Sequence, residues 1–292
     1  MAPKEPAVPD GQELVQTAIA ATQAAGEVLK ARFSRPHEVR SKGLRDLVTE
    51  ADLLAQEAAL AVIRSRYPGH RIITEEGEAS PGPDSAYRWY VDPLDGTTNF
   101  ARGIPYFSVS VAVECCGELQ AGAVFDPLSE RLFWACLGEG AFLNGARLHV
   151  SGRDRLLDAL LDLGWARSRR AREQCLRTAL ALGPEIGSVR TVGSAALGLA
   201  AVAAGWEDVY YHPELAPWDM AAGVLLIREA GGRVTATDGS EWHPFAGGCL
   251  ASNGLLHQTV LLKLREFGAG KPDGTEGRIG ATSDRGPCGA MP

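Results

Sequence analysis

The sequence predicts an α+β half followed by a layered α/β half, and three patterns carry that expectation. Two amphipathic helical runs open the chain. Apolar or alternating segments separated by turn residues then fill residues 107–137. From residue 157 onward, short apolar runs alternate with helical ones. The first helix runs from Asp10, its cap, to about residue 32, with Leu14, Val15, Ala18, Ile19, Thr22, Ala25 and Leu29 along one stripe. A polar loop, SRPHEVRSKGLR, follows. In DLVTEADLLAQEAALAVIRSRYPG a second helix begins where Thr49 and Asp52 fit a capping box and stops at Pro68-Gly69, with Asp46 just outside it.

Ile72-Ile73 reads as a short strand that delivers Thr74, Glu75 and Glu76. Residues 87–91 are aromatic and β-branched, hence a strand, and Asp92, Pro93, Leu94, Asp95 and Gly96 follow as a sharp turn. Thr97, Thr98 and Asn99 supply the small polar side chains and open amides that start a helix and hold an anion. FSVSVAVECCGE, LQAGAVFD and RLFWACL are hairpin-connected strands of an antiparallel sheet. After a junction at 150–156 come a strand (157–163), an Arg-rich helix (167–182), a strand (188–192), a helix (194–204), a strand (209–211) and a helix (217–230). Strands at 234–235 and 250–251 and a last helix through Leu264 complete the pattern. The expected organisation is an N-terminal half, 10–150, and a C-terminal half, 151–265. Residues 266–292, rich in Gly and almost without large apolar side chains, are expected to be a disordered tail.

Composition narrows the function. The 292 residues are 45% hydrophobic and 22% charged, ordinary for a soluble enzyme, and a net charge of −7 argues against nucleic acid or an anionic membrane as partner. The six cysteines show no zinc-like spacing and read as reduced thiols. With no apolar leader and no run of ~18 apolar residues, a cytoplasmic location is expected.

Glu75, Asp92, Asp95 and Asp219 each sit at the end of an apolar segment or the start of a helix, where rigid elements can converge them. Each has an ordinary explanation alone. Asp92-Pro93 and Asp95-Gly96 suit turns, Glu75-Glu76 a solvated loop, Asp219 the positive end of a helix, and Asp46 a loop anchor. Together they need a counter-charge, because like charges at close range raise one another's pKa. Oxygen-only ligands favour Mg²⁺ over zinc, and the Gly-Thr-Thr stretch places an anion seat beside them.

These residues carry a family resemblance. DPLDGTTNF at 92–100 resembles the first signature of the inositol monophosphatase family, and WDMAAGVLLIREAGG at 218–232 its second; DLVTEAD, TEEG and VGSAAL match further blocks in order. The resemblance covers approximately residues 10–265. It implies a five-layered αβαβα sandwich of the inositol monophosphatase/fructose-bisphosphatase type with the active site between its halves. By motif position Glu75, Asp92, Asp95 and Asp219 are implied Mg²⁺ ligands, with the Leu94 carbonyl completing one site and Asp92 bridging two ions. Gly96 and Thr97 amides are implied to hold phosphate, and the Thr97 hydroxyl, bonded to Asp46, to help Glu75 activate water. Gly193, Ser194, His212 and Asp219 are implied substrate contacts. Two or three Mg²⁺ ions, Li⁺ inhibition and a homodimer belong to the same expectation.

The implied activity is release of phosphate from a small phosphorylated polyol, inositol monophosphate first, with histidinol phosphate, fructose 1,6-bisphosphate and 3′-phosphoadenosine phosphates as alternatives that relatives handle. His212 stands where inositol phosphatases often carry a Glu that binds substrate hydroxyls, with Glu214 two residues on; the alternative is a solvent-facing loop residue. Trp165 sits near the substrate position, or is an interdomain anchor. Arg167, Arg169, Arg170 and Arg172 form either a solvated helix face or a seat for a second phosphate. A regulatory binding protein with a vestigial site is opposed by the intact acidic set, and a metal-dependent nuclease by the acidic pI.

Overall fold

The computed structural model describes residues 10–33, 39–43, 46–80 and 85–268, with backbone alone for 39–43, 46–47 and 78–80. Helix α1 (Gly11–Arg32) starts where the Asp10 carboxylate accepts the Gln12 amide, and Leu14, Val15, Ala18, Ala25 and Leu29 are buried along its inner stripe. Strands β1 (Val39–Gly43) and β2 (Asp46–Thr49) form an antiparallel pair, so the segment expected to be a polar loop contains a strand and Asp46 lies in another. Their pairing is made by backbone groups, which leave no apolar alternation to read. Helix α2 (Glu50–Arg66) begins with the expected capping box: the Thr49 amide donates to Asp52 Oδ2 at 2.8 Å.

Seven strands follow, interrupted by one short helix: β3 (Arg71–Thr74), β4 (Gly77–Ser80), β5 (Tyr87–Asp95), α3 (Thr97–Ala101), β6 (Ser108–Cys115), β7 (Glu118–Asp126), β8 (Arg131–Cys136) and β9 (Gly140–Leu143). With β10 (Ala146–Arg147) they make a sheet of order β10-β9-β8-β7-β6-β5-β3-β4, antiparallel except between β3 and β5. The predicted turn at 92–96 is therefore strand as far as Asp95.

The second half contains β11 (Leu160–Leu163), α4 (Arg169–Leu182), β12 (Ser188–Arg190), α5 (Ala195–Ala203), β13 (Val209–His212), α6 (Pro217–Glu229), β14 (Arg233–Thr235), β15 (Cys249–Ser252) and α7 (His257–Glu266). Its sheet runs β12-β11-β13-β15-β14, parallel across β12, β11 and β13. His212 ends β13 and is buried rather than lying in a solvent-facing loop. Its pairing with Cys249 on β15 holds the strand through that position.

The layers follow from which helices are apolar on which sides. Helices α1 and α2 bury one stripe against the outer face of the large sheet. Helices α5 and α6 are apolar all round, as a helix buried on both sides must be, and lie between the two sheets. Helices α4 and α7 cover the far face of the small sheet. The result is the five-layered αβαβα sandwich. The tail expected beyond residue 266 lies, from residue 269, outside the described residues. Among the described residues no helix is long and apolar enough to cross a membrane.

Candidate active site

Residues three apart on a strand normally point to opposite faces, so Asp92 and Asp95 should diverge. A β-bulge prevents this. Asp92 pairs with Ser110 and Asp95 with Ser108, so three steps along β5 match two along β6 and both carboxylates emerge on one face. Pro93, which has no amide to lend to a ladder, sits inside the bulge. The Leu94 amide turns back to Asp92 Oδ1 at 3.0 Å.

The third carboxylate arrives from the other half. The Ser110 hydroxyl donates to the Trp218 carbonyl at 3.1 Å, docking the first turn of α6 on β6 beside Asp92. Pro217 occupies that turn, and Asp219 accepts the Ala216 amide at 2.7 Å. Oxygens of Asp92, Asp95 and Asp219 consequently lie within 4.8 Å of one another, a group that could hold a metal ion. Burial, then the charges of Glu75, Asp95 and Asp219, pushes the Asp92 carboxyl well above the usual range. Burial likewise pushes Asp219 up to about 7, reinforced by Glu75 and Asp95. Asp95 is raised by burial, against the opposing pull of the Ser194 hydroxyl and the Ala196 and Ala195 amides.

Those donors form a clasp between the halves. Ser194 Oγ and the Ala196 amide (2.8 Å) donate to Asp95 Oδ2, the Ala195 amide to Oδ1 at 3.1 Å, and Ser108 Oγ to Oδ2 at 3.3 Å. The Asn99 amide group adds a second tie, donating to the Tyr106 carbonyl at 2.8 Å and the Val192 carbonyl at 2.9 Å. Backbone comes very close here: a Cβ on Gly96, whose φ is +100°, would sit 3.2 Å from the Gly193 carbonyl oxygen. Gly193 thus packs against Gly96, and the Ser194 hydroxyl is committed to Asp95.

Thr97 follows Gly96 at the start of α3, where the first amides have no intrahelical acceptor. Its hydroxyl lies 3.1 Å from the Leu94 carbonyl and 3.3 Å from Asp52 Oδ1. The side chain of Asp46, expected at this position, lies outside the described residues. Asp52 was legible only as a cap, because its other oxygen serves the Thr49 amide. Nothing in the spacing marked the oxygen that faces Thr97.

Glu75 is not one of the three residues whose oxygens meet within 4.8 Å, but its charge is felt by Asp92 and Asp219. Its backbone amide bonds the Val91 carbonyl at 3.3 Å, fixing the turn beside β5, and its carboxylate meets Arg167 Nη2 at 3.3 Å. Arg167 comes from the loop between β11 and α4, where the Arg167 and Ser168 amides both donate to Glu214 Oε2, at 2.9 and 2.8 Å. The Glu214 amide in turn donates to His212 Nδ1 at 3.1 Å. Burial pushes the His212 imidazole down to about 4, which keeps it neutral and able to accept. The ring lies so close to Gly164 that a Cβ there would meet its Cδ2 at 1.9 Å. His212 therefore braces this loop from inside. The basic cluster also divides: Arg169 pairs with Glu173 on the exposed helix face, Arg172 packs on the half-exposed Trp165 ring, and Arg167 reaches Glu75.

A sandwich of this order, with an acidic oxygen cluster and open helix amides at the seam of its halves, is the frame of a metal-dependent phosphatase. The model of the inositol monophosphatase family matches residues 10–268, and the chain belongs to that family. It is 39% identical over 259 residues to the inositol-1-monophosphatase of Mesorhizobium japonicum, covering 87% of this chain and 96% of that protein. It is 38% identical over 256 residues to Nus factor SuhB of Escherichia coli K12, covering 87% and 96%. The crystal structure of the extragenic suppressor protein suhB from Bartonella henselae superposes with a TM-score of 0.83 at 36% identity, covering 87% of this chain and 99% of that one. The chain is accordingly a phosphoric monoester hydrolase of this family.

Proposed function

We propose that the protein is a Mg²⁺-dependent phosphatase of small polyol phosphates, with inositol monophosphate as the reference substrate, named as it is in the Mesorhizobium relative. The observation that carries this is the meeting of Asp92, Asp95 and Asp219 oxygens within 4.8 Å. The residues fit a hard divalent cation: the donors are oxygens, and burial leaves them with charge that protein groups do not balance. Asp92, Asp95, Asp219 and Glu75 would hold the ions, with the Leu94 carbonyl completing one site. When bound, they would supply neutralisation of the phosphate's charge and a water of lowered pKa.

The chain's own groups do the rest. The Gly96 and Thr97 amides at the start of α3 receive phosphate oxygens. The Thr97 hydroxyl, held between the Leu94 carbonyl and Asp52, takes part with Glu75 in moving the proton of the attacking water, and Asp46 remains a proposed partner in that relay. Gly193 and Ser194 shape the substrate side through the Asp95 clasp, and the division into halves at about residue 150 places the cleft between them. Thr97 has no strong base positioned to make it a nucleophile, so no covalent phosphoenzyme is invoked.

A homodimer, a cytoplasmic location and inhibition by Li⁺ belong to the same proposal, supported by the resemblance. The test is phosphate release from inositol 1-phosphate, inositol 2-phosphate, histidinol phosphate, fructose 1,6-bisphosphate and 3′-phosphoadenosine 5′-phosphate, in Mg²⁺ and in EDTA, with a LiCl titration of the best. Release that is indifferent to EDTA removes the metal assignment. Absence of release from every ester leaves a regulatory protein with a vestigial site.

A further inference from the structure

We infer that a cavity between the two sheets, distinct from the acidic cluster, binds a small organic ammonium, a primary amine on an apolar body no larger than one ring, through Glu207. The stretch Trp206-Glu207-Asp208 follows α5 and reads as an exposed polar turn. Gly205, with φ +68°, ends the helix, and the Trp206 and Glu207 amides both turn back to the Ala201 carbonyl, at 3.0 and 3.3 Å. The chain therefore folds inward and takes Glu207 with it. The residue is only 9% exposed, and its Oε2 has no hydrogen-bond partner. Buried carboxylates normally have several partners, as the neighbouring Asp208 does: Ser151 Oγ, Arg153 Nη1 and the Leu160 amide (2.8 Å) all donate to it.

Glu207 lines a cavity of about 230 Å³. Phe133 on β8 of the large sheet, Leu160 on β11 of the small one and Leu197 on α5 between them form its walls. Trp206 stands at the rim, 47% exposed and edge-on to Phe133 at 5.8 Å. None of Glu75, Asp92, Asp95, Thr97 or Asp219 lines it. An apolar cavity of ~150 Å³ holds benzene, so this one has room for a single ring and a short polar arm. The surrounding charges choose the polar group. Arg131, at the edge, is matched by Asp126 at 2.6 Å, and Arg153 is paired with Asp208. That leaves Arg190 on β12, which also lines the cavity and donates to the Ser188 hydroxyl and the Val189 carbonyl. Burial pushes the Glu207 carboxyl up to about 8; Asp162 on β11 and Asp208 add to the rise, and Arg190 opposes it. With Glu207 and Asp162 both ionised, one arginine faces two acids among the described residues. An ammonium supplies the missing charge and the N–H donors that Glu207 lacks, and aromatic walls favour a cation.

The test is isothermal titration of the full chain, without substrate and in amine-free buffer, with cyclohexylamine and with cyclohexanol, which has the same ring and no charge. Cyclohexylamine should bind saturably, one to one, and at pH 8.5 ~10- to 100-fold tighter than the alcohol, the usual range for a charge-assisted hydrogen bond. An alkylamine stays protonated between pH 6.5 and 8.5, its pKa being near the ~10.4 of Lys. The Glu207 carboxyl must give up a proton to receive it at pH 6.5, so the amine should bind ~10- to 30-fold more weakly there than at pH 8.5. Asp162, pushed up to about 7 by burial, titrates in the same direction. Glu207→Gln keeps the shape without the charge and should bind the amine no tighter than the alcohol. Ala201→Leu fills the cavity and should bind neither. The amine–alcohol comparison uses the unaltered chain, so it decides even where a variant does not fold.

No saturable binding of cyclohexylamine overturns the inference; water, the Arg190 side chain or a second copy of the chain then fills the cavity. Equal affinity for amine and alcohol, or amine binding unchanged in Glu207→Gln, also overturns it, because the carboxyl is then not the partner. Phosphate release enters none of these measurements, so failure here leaves the phosphatase reading standing, and failure of that reading leaves this site standing.

Discussion

Replacing Asp92 with Asn should make the metal-free protein more stable while abolishing Mg²⁺-dependent activity. Three carboxylates meet within 4.8 Å, and at an effective dielectric of ~20 two unit charges at that separation repel by ~3 kcal/mol. Protonation caps the cost. Asp219, at about 7 against an ordinary 3.8, is raised by roughly three units, or ~4 kcal/mol. A carboxyl whose folded pKa lies above its unfolded one weakens the fold as pH rises: the penalty is absent below the unfolded value, grows toward the folded value and is complete above it. At pH 8 in EDTA the whole penalty is present.

Asn removes one charge from the cluster and keeps an oxygen for the Leu94 amide, now at 3.0 Å. A gain of ~2–3 kcal/mol is expected, which for a protein of this size raises the melting temperature by ~3–5 °C. Scanning calorimetry of both proteins at pH 8 and pH 4, in EDTA and over a Mg²⁺ titration, measures each part. The parent should gain stability with Mg²⁺ as binding to the folded state requires, and Asp92→Asn should not. At pH 4 the advantage of the variant should vanish. A variant that melts below the parent in EDTA at pH 8, or that still releases phosphate with Mg²⁺, refutes the reasoning, because Asp92 would then be a structural hydrogen-bonding residue.

Two other changes probe the proton relay and the second core. Thr97→Val keeps the shape of a side chain that is 8% exposed and removes its hydroxyl; phosphate release at saturating Mg²⁺ should fall ~100-fold or more, and Thr97→Ser should restore most of it. Retention of activity in the Val variant ends the relay. His257 is fully buried between Thr235 Oγ1 (3.1 Å) and Ser252 Oγ (2.9 Å), and burial pushes its imidazole down to about 4. Its contribution to stability is complete above its ordinary 6.5 and drains away as pH falls toward 4, by ~3 kcal/mol. Urea midpoints at pH 7.5 and pH 4.5 should show His257→Gln losing ~2–3 kcal/mol less on acidification than the parent, and equal losses would count against a neutral buried imidazole.

How much of the fold could be read depended on how local each signal is. Asp10 and the Thr49–Asp52 pair announce their helices because a cap is satisfied within three residues of itself. Strand β1 has no such signature, since what makes it a strand is the backbone of β2 across the hairpin. The ends of the large sheet were missed for the same reason: β4, β9 and β10 are two to four residues long and exist by pairing. His212 looked like loop because Pro213 follows it, and only β15 alongside makes the residue strand.

In the site, residue types were legible and their division of labour was not. DPLDG contains two turn-forming pairs, and a turn accounts for the composition as well as a bulge does. The bulge alone, however, turns Asp92 and Asp95 to the same face. Once they are there, the donors fall unequally. Asp95 receives two amides and two hydroxyls across the clasp, while Asp92 and Asp219 each receive one backbone amide, from Leu94 and Ala216. Protein groups therefore favour the ionised form of Asp95 and leave most of the charge on the other two uncompensated. The demand for a cation is thus concentrated between β5 and the first turn of α6, next to the anion seat, and it arises from where three donors of α5 happen to end. That allocation is set by contacts about 100 residues apart in the chain, which no local pattern encodes.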